Sequence, residues 1–446
     1  MASRSKAASG SPDVGTPFLT ELDERARVKG SRDPLGYMSI WGGFGRRVVG
    51  NLTTQTVSVR GFTTLLLGYW FAERVRERPG GDDSSTLDVF LRFEQLAGYC
   101  RYHYNADRSD FRGIRRVAAR LQKGGRVTLG TGSENQILSS QKLYGLWGLY
   151  TVAARVSGFL QAEPLLTPAA AEFVDAEYAP ALRRSGWKVL DNLTEILSED
   201  GKTLELDGRH ATLGHAVADL HRPKFASREA GVYRERLVFG GEADRTQGLQ
   251  RLLADHLRRL PADEPFGMLE LEAVIAAAGR QSHDQLVDEL EAIRRLEHIL
   301  APSAHLFDFV LTRNRERLDS IAAEARLAWG EGTRLLSLEE VRSLRGRLEQ
   351  VSDNTEIAAR VIAIGEALGR ADYADLVRLV VAQNEATMRD RDGSQPWATV
   401  ENGRLNVRLK DESRRLPDRG ALRTLWRNPY FISSLKMIQS QLEASG

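Results

Sequence analysis

The chain has 446 residues, 42% hydrophobic and 27% charged, with a formal net charge of only +2 at pH 7. These values are ordinary for a soluble globular protein with room for two or three domains, so any affinity for a polyanion must come from a local patch. The single cysteine, Cys100, excludes an intramolecular disulfide and a multi-cysteine zinc site, and fits a reducing, cytoplasmic compartment.

Residues 1–15 (MASRSKAASGSPDVG) are small, polar and punctuated by Pro and Gly, without the apolar core of a signal peptide. They are expected to form a disordered tail. From Asp33 to Ala72 the chain reads DPLGYMSIWGGFGRRVVGNLTTQTVSVRGFTTLLLGYWFA, and between Val48 and Ala72 its only charged side chain is Arg60. An unpaired buried guanidinium is costly, so Arg60 must either meet a carboxylate or face a polyanion. The stretch is long enough to cross a bilayer, but Asn51, Gln55, Arg60 and its threonines make it a poor insertion candidate. A buried helix is expected instead, running from a cap at 51–54 to about Arg78.

Pro79 to Asp83 breaks that helix, and Asp83-Ser84-Ser85 caps the next, about Thr86 to Tyr104. A further helix runs from Asp110 to Leu121, a glycine-rich loop covers 124–132, and a long apolar helix is predicted over 133–160. Helical patterns follow at 167–183, 187–199, 209–221, 244–260, 268–278, 282–299, 303–328, 337–350, 354–369 and 371–390. Near the end, ATVENGRLNVRL (398–409) alternates around Asn402-Gly403, a strong hairpin signal, and a last helix spans about 429–444. The predicted fold is therefore mainly α. A helical domain over 16–240 carries the basic patch, and a second helical region over 244–446 ends in a small β-hairpin. Residues 267–310 suggest a winged-helix-like unit, but Asp284, Asp288, Glu289 and Glu291 would repel phosphates from its would-be recognition helix.

No catalytic motif is present. GGFGRR (42–47) and GGRVTLGTGS (124–133) place glycines before helices, where backbone N–H groups can cradle a phosphate, but neither carries the Lys-Ser/Thr of a P-loop. Tight turns and close helix packing explain both as well. The histidines lack metal-ligand spacing: His215 and Asp219 alone share a helical face, and a hydrogen bond suits them better than a metal. Cys100 reads as a small buried residue, not a nucleophile. No cofactor, metal or catalytic residue is assigned.

The basic clusters are the stronger signal. From Arg101 to Arg126 there are eight basic residues against Asp107 and Asp110, with Tyr99, Tyr102, Tyr104 and Phe111 interleaved. Guanidinium forks beside aromatic faces suit a nucleic-acid backbone. A second stretch, Arg404 to Lys436, has nine basic residues against three acidic. The candidate contacts are Arg46, Arg47, Arg60, Arg101, Arg112, Arg115, Arg116, Arg120, Lys123 and Arg126, which together would make a salt-sensitive phosphate-binding surface. Alternatively, these cations pair with the acidic stretches at 163–206 and 261–300, where acidic residues outnumber basic ones by nine to four and nine to three.

DPLG, the Arg-containing turn and NLTTQTVSVRGFTTLLLGYWF, with RGIRRVAARL (112–121) and QKLYGLWGLY (141–150) further on, resemble a group of uncharacterised helical bacterial proteins with an N-terminal Asp-x-Leu-Gly signature. The likeness covers about residues 30–160. Such proteins are encoded among anti-phage defence and DNA-processing genes, beside helicases, nucleases or methylases. The resemblance implies an accessory subunit of a defence assembly, binding DNA sooner than RNA, and carries over no catalytic residue. Two other readings stay open. One is a protein-interaction scaffold without nucleic-acid contact, and the other is an enzyme that binds a phosphorylated ligand at the 124–133 loop.

Overall fold

The DPLG signature is a capping turn. Asp33 accepts the backbone N–H groups of Tyr37 (2.8 Å) and Met38 (3.1 Å), while Gly36 turns with φ +69°. A Cβ on Gly36 would lie 2.9 Å from the Thr387 hydroxyl, so this position is closed to other residues twice over. Gln383 and Asn384 donate to the carbonyls of Leu35 (2.7 Å) and Pro34 (2.8 Å), fastening the turn to a helix near the other end of the chain.

The structure, a computed structural model, describes residues 33–78, 85–106, 111–122, 124–186, 188–331, 335–351, 355–391, 394–409 and 414–444. The expected tail at 1–15 and the candidate Lys123 lie outside them. The chain begins with α1 (Tyr37–Arg46), α2 (Val59–Arg76), α3 (Thr86–Tyr104), α4 (Ile114–Leu121) and the strand β1 (Arg126–Leu129). Next come α5 (Gln141–Tyr144), α6 (Leu146–Val156), α7 (Pro168–Glu177), α8 (Ala179–Arg184), α9 (Val189–Ser198) and β2 (Lys202–Glu205). α10 (Ala211–Asp219), α11 (Ser227–Tyr233), a π-helical turn (Arg234–Val238), α12 (Leu249–Leu257) and α13 (Met268–Arg280) precede the long α14 (Asp284–Val310). α15 (Leu318–Trp329), α16 (Leu338–Ser343), α17 (Arg345–Val351), α18 (Thr355–Arg370) and α19 (Tyr373–Asp390) lead to the hairpin β3 (Ala398–Glu401) and β4 (Arg404–Val407). A short 3₁₀ turn (Ala421–Thr424) and α20 (Ile432–Glu443) finish the chain. The fold is mainly α, with two antiparallel two-stranded sheets among the described residues.

α2 is apolar on every face because it is enclosed on every face. α3, α6, α7, α9 and α20 all pack on it, and Arg60 itself is buried. No helix among the described residues is long and apolar enough to cross a membrane. Both chain ends cross the 240–244 region: α1 packs on α14 and α17, while α20 packs on α2, α12 and the π-turn.

Four expectations need correction. The cap of α2 is Ser58, which accepts from Gly61, and 51–57 is loop. The 124–132 segment contains β1, paired with β2 in the register Arg126↔Glu205 to Leu129↔Lys202. The long helix expected over 133–160 is instead a loop to 140 followed by α5 and α6, which part at Gly145. α14 also passes through Pro302 without stopping, so the helices expected at 282–299 and 303–328 divide after Val310. The hairpin holds, with Asn402 (φ 52°) and Gly403 (φ 71°) supplying the two left-handed residues of its turn.

Candidate nucleic-acid interface

Arg60 has the carboxylate partner that burial demands. Its Nη1 lies 2.5 Å from Glu229, its Nε donates to the Arg222 carbonyl (2.7 Å) and its Nη2 to the Lys224 carbonyl (3.0 Å). The guanidinium stacks 3.9 Å above the Phe225 ring. It is a structural residue and cannot meet a phosphate. Arg47 is also committed, in a two-pronged pair with Glu289 at 2.7 Å on each arm; Arg347 completes that pairing from the other side. Arg46 turns its guanidinium onto the carbonyls of Gly50 (3.2 Å) and Leu52 (2.5 Å) and over the Phe431 ring (3.9 Å). Arg47 and Arg60 leave the candidate set because a carboxylate cancels each charge; Arg46, whose acceptors are neutral, leaves it because it lies on α1, which packs on α14 and α17.

Two arginines of the second basic stretch are spent in the same way, and its Lys436 is buried. Arg414 and Arg427 each reach Asp308 at 2.7 Å, and Lys436 donates to the Glu264 carbonyl. The glycine motifs cradle nothing either. Gly43 and Gly45 lie inside α1, where a Cβ would come within 2.5 Å of Val351 and 2.7 Å of the Tyr430 carbonyl, so they serve close packing. At the 124–133 loop, the N–H groups of Gly130 and Thr131 are taken by Gln95 (3.0 Å) and the Asp200 carboxylate (2.9 Å). An anion there would meet a carboxylate. Cys100 is buried, and burial pushes its thiol pKa up, away from reactivity. No group of three metal-ligating side chains occurs among the described residues.

Around α4 the cations behave differently. Arg116 donates to the carbonyls of Gln136 (3.1 Å) and Leu138 (2.7 Å). Arg120 donates to Tyr99 (2.8 Å) and to the carbonyls of Glu134, Asn135 (2.5 Å) and Gln136 (3.0 Å). Arg112 donates to the Gln55 side-chain oxygen. All of these acceptors are neutral, so the bonds fix the guanidinium groups without cancelling their charge. Arg115 is exposed and has no partner among the described residues. Arg101, buried at the end of α3, stacks 4.6 Å from the Phe111 ring. Arg126, exposed on β1, faces Glu205 across the sheet. The structure thus gathers Arg101, Arg112, Arg115, Arg116, Arg120 and Arg126 on neighbouring elements, and separates Arg46, Arg47 and Arg60 from them. Acidic residues (Glu134, Glu205 and Asp207) lie along the margin and narrow the patch.

Local sequence explains why α4 is placed so. Its eight residues bury only Val117 against the core, and Gly113 (φ 85°) opens it with no side-chain cap. A helix this short is marginal alone. The donations of Arg116 and Arg120 to the 134–138 loop hold it down.

Sequence reasoning missed Glu94, Gln55 and Tyr150, which line a cavity beside the patch together with Arg101 and Arg112. Glu94 accepts the Leu146 N–H and the Gln141 amide at 2.7 Å each, so it caps α6 and causes the break at Gly145. Burial raises its pKa to about 7. The raised value means that the folded state binds the extra proton. Stability from this group is therefore fully present below the unfolded value near 4.5 and is lost as pH rises to about 7. The loss is on the order of 3 kcal/mol at 1.36 kcal/mol per pKa unit. Glu94→Gln should abolish that pH-dependent part, seen by comparing urea midpoints of the two proteins between pH 4.5 and 7.5. Parallel profiles for variant and parent would show that Glu94 titrates normally. Two charged residues, Arg92 and Glu94, in the largely apolar run VFLRFEQLAGYC were the signal available in the sequence.

No family model, curated protein or solved structure matches the chain.

Proposed function

We propose that this protein is a non-enzymatic, nucleic-acid-binding accessory subunit that holds phosphate backbones on the face around α4. One observation carries the reading. Arg112, Arg115, Arg116 and Arg120 form no ion pair with a carboxylate among the described residues, although acidic residues nearly equal basic ones over the chain. Three of the four are held by neutral acceptors, which keeps them in place at full charge. Such a surface reads charge and spacing, not base sequence. The likeness of residues 30–160 to proteins encoded among anti-phage genes supports a bacterial defence assembly, with DNA as the polymer and a helicase, nuclease or methylase as neighbour.

The test is charge reversal. Arg115→Glu with Arg116→Glu should weaken duplex DNA binding at least tenfold at low salt and flatten the salt dependence by about one unit of slope per lost contact. Arg115 has no partner among the described residues, so Arg115→Glu alone should leave the urea midpoint in place. Unchanged low-salt binding in a filter assay would overturn the assignment. A scaffold reading is favoured by one other feature: Leu143, Tyr144 and Val152 are 60%, 50% and 56% exposed on α5 and α6. A scaffold alone would show no steep salt dependence with DNA.

A further inference from the structure

Three of the four aromatic rings between residues 135 and 162 are spent on packing. Trp147 stacks on Tyr69 at 5.1 Å, Tyr150 meets Phe62 edge-on at 5.0 Å, and Phe159 approaches Tyr233 at 5.9 Å. The fourth, Tyr144, has no ring contact and no side-chain hydrogen bond among the described residues, and it is half exposed beside exposed Leu143. Local geometry keeps it there. Gln141, the buried first residue of α5, donates to Glu94 (2.7 Å) and the Leu91 carbonyl (2.9 Å) and accepts from Gln95 (3.1 Å). α5 ends at Tyr144, three residues on. With its first residue pinned to the core and its length limited to one turn, the helix leaves Lys142, Leu143 and Tyr144 to solvent.

The surroundings of this ring are cationic. From Asn135 to Ala162 the only charged side chains are Lys142 and Arg155, both exposed and neither in an ion pair among the described residues. Glu94 lies behind the α5–α6 break, buried, with its oxygens on the Gln141 amide and the Leu146 N–H. The α4 arginines are close by, since Arg116 donates to the Leu138 carbonyl (2.7 Å), three residues before α5. At ~3.6 Å per extended residue and ~1.5 Å per helical one, Leu138 and Tyr144 are within about 16 Å of each other. That is about four or five nucleotides at ~3.4 Å each, inside the ~4–16 that a single-strand site occupies. A polymer that satisfies both features must carry phosphates and accessible flat apolar faces. A duplex offers only the first, because its bases are stacked inside. A single strand offers both.

We propose that the face formed by α4 and α5 takes single-stranded nucleic acid, with Arg115, Arg116 and Lys142 on the phosphates and Tyr144, flanked by Leu143, as the ring on which a base stacks. The inference rests on the nucleic-acid reading above and names its substrate class, single strand in preference to duplex.

The experiment compares a thymidylate 20-mer, an abasic strand of equal length and charge, and a 20-base-pair duplex in filter binding to the intact protein at one salt concentration. The thymidylate strand should bind at least tenfold more tightly than either of the others. Tyr144→Ala should reduce that preference about fivefold while keeping the slope of affinity against salt, because no phosphate contact is lost. Tyr144→Phe, which keeps the ring, should retain the preference. Tyr144 has no side-chain partner among the described residues, so both variants should keep the parent's urea midpoint. Arg115→Glu with Arg116→Glu should weaken all three probes and lower the slope. Equal binding of the thymidylate and abasic strands, or a preference undiminished in Tyr144→Ala, overturns the stacking site. Either result leaves the α4 surface standing and gives Leu143 and Tyr144 to a protein partner. Failure to bind any of the three at low salt overturns the surface reading and the stacking site together.

Discussion

Arg60→Ala should cost about 3–5 kcal/mol of folding stability, the usual penalty for removing one partner of a buried ion pair. Arg60 and Glu229 are 7% and 4% exposed, and the guanidinium also closes the 222–225 segment through two carbonyls. Without it, Glu229 keeps, among the described residues, the Tyr178 hydroxyl (2.6 Å) and the Ala226 N–H (3.3 Å). The Tyr178–Tyr233–Thr63 hydroxyl chain, linked at 2.9 Å per step, then has an unbalanced charge at its head. Adding Glu229→Gln to Arg60→Met should recover part of the loss, because the second change removes the stranded charge and keeps an acceptor for Tyr178. Urea unfolding of the singles and the double gives the coupling. A loss below 1 kcal/mol for Arg60→Ala would mean that the pair is not closed in solution. DNA affinity per folded molecule should not change in either variant.

Arg60 shows what the sequence could and could not reveal. A lone cation in an apolar run announces itself, but Glu229 lies 169 residues further along and has no local mark. The same limit governs the fold. The start of Thr86–Tyr104 was legible because Ser85 and Asp88 form a capping box, a purely local device. The hairpin was legible for the same reason, through Asn402-Gly403. β1 and β2 were not, since RVTL and KTLE are four-residue strands separated along the chain by α5 to α9. The break at Gly145 depends on Glu94, a residue of another helix.

The candidate site divides along this line too. The run of arginines over 101–126 was visible as composition, but whether each charge is cancelled depends on what lies opposite. Arg116 and Arg120 face carbonyls, whereas Arg47 and Arg60 face carboxylates. No spacing rule distinguishes these cases. Asp288 and Glu289 illustrate the converse, because their acidity, which argued against DNA readout by this segment, is spent on Arg47 and Arg347.

Glu297→Ala should be comparably damaging, by at least 4 kcal/mol, and for a different reason. Glu297 is fully buried on α14 and is the common acceptor for the N–H groups of Arg427 (2.5 Å) and Asn428 (3.1 Å), the Asn428 amide (2.8 Å) and the Tyr430 hydroxyl (2.8 Å). Truncation strands all four donors, at about 1–3 kcal/mol for each one left without water. The segment they hold is itself strained, with Tyr430 at φ 46° and Phe431 at φ 62°, conformations that cost bulky side chains about 1–3 kcal/mol each. Those two rings receive α1, with Trp41 at 6.1 and 5.3 Å from them, and Phe431 leads directly into α20. Releasing the turn therefore undocks both chain ends together, so hydrogen exchange in α1 and α20 should accelerate in step while α3 stays protected. Glu297→Gln retains one oxygen acceptor but sets its NH₂ against donors, so it should fall between the parent and Glu297→Ala. Loss of α20 protection with α1 unaffected would show that the 427–431 turn does not join the two ends.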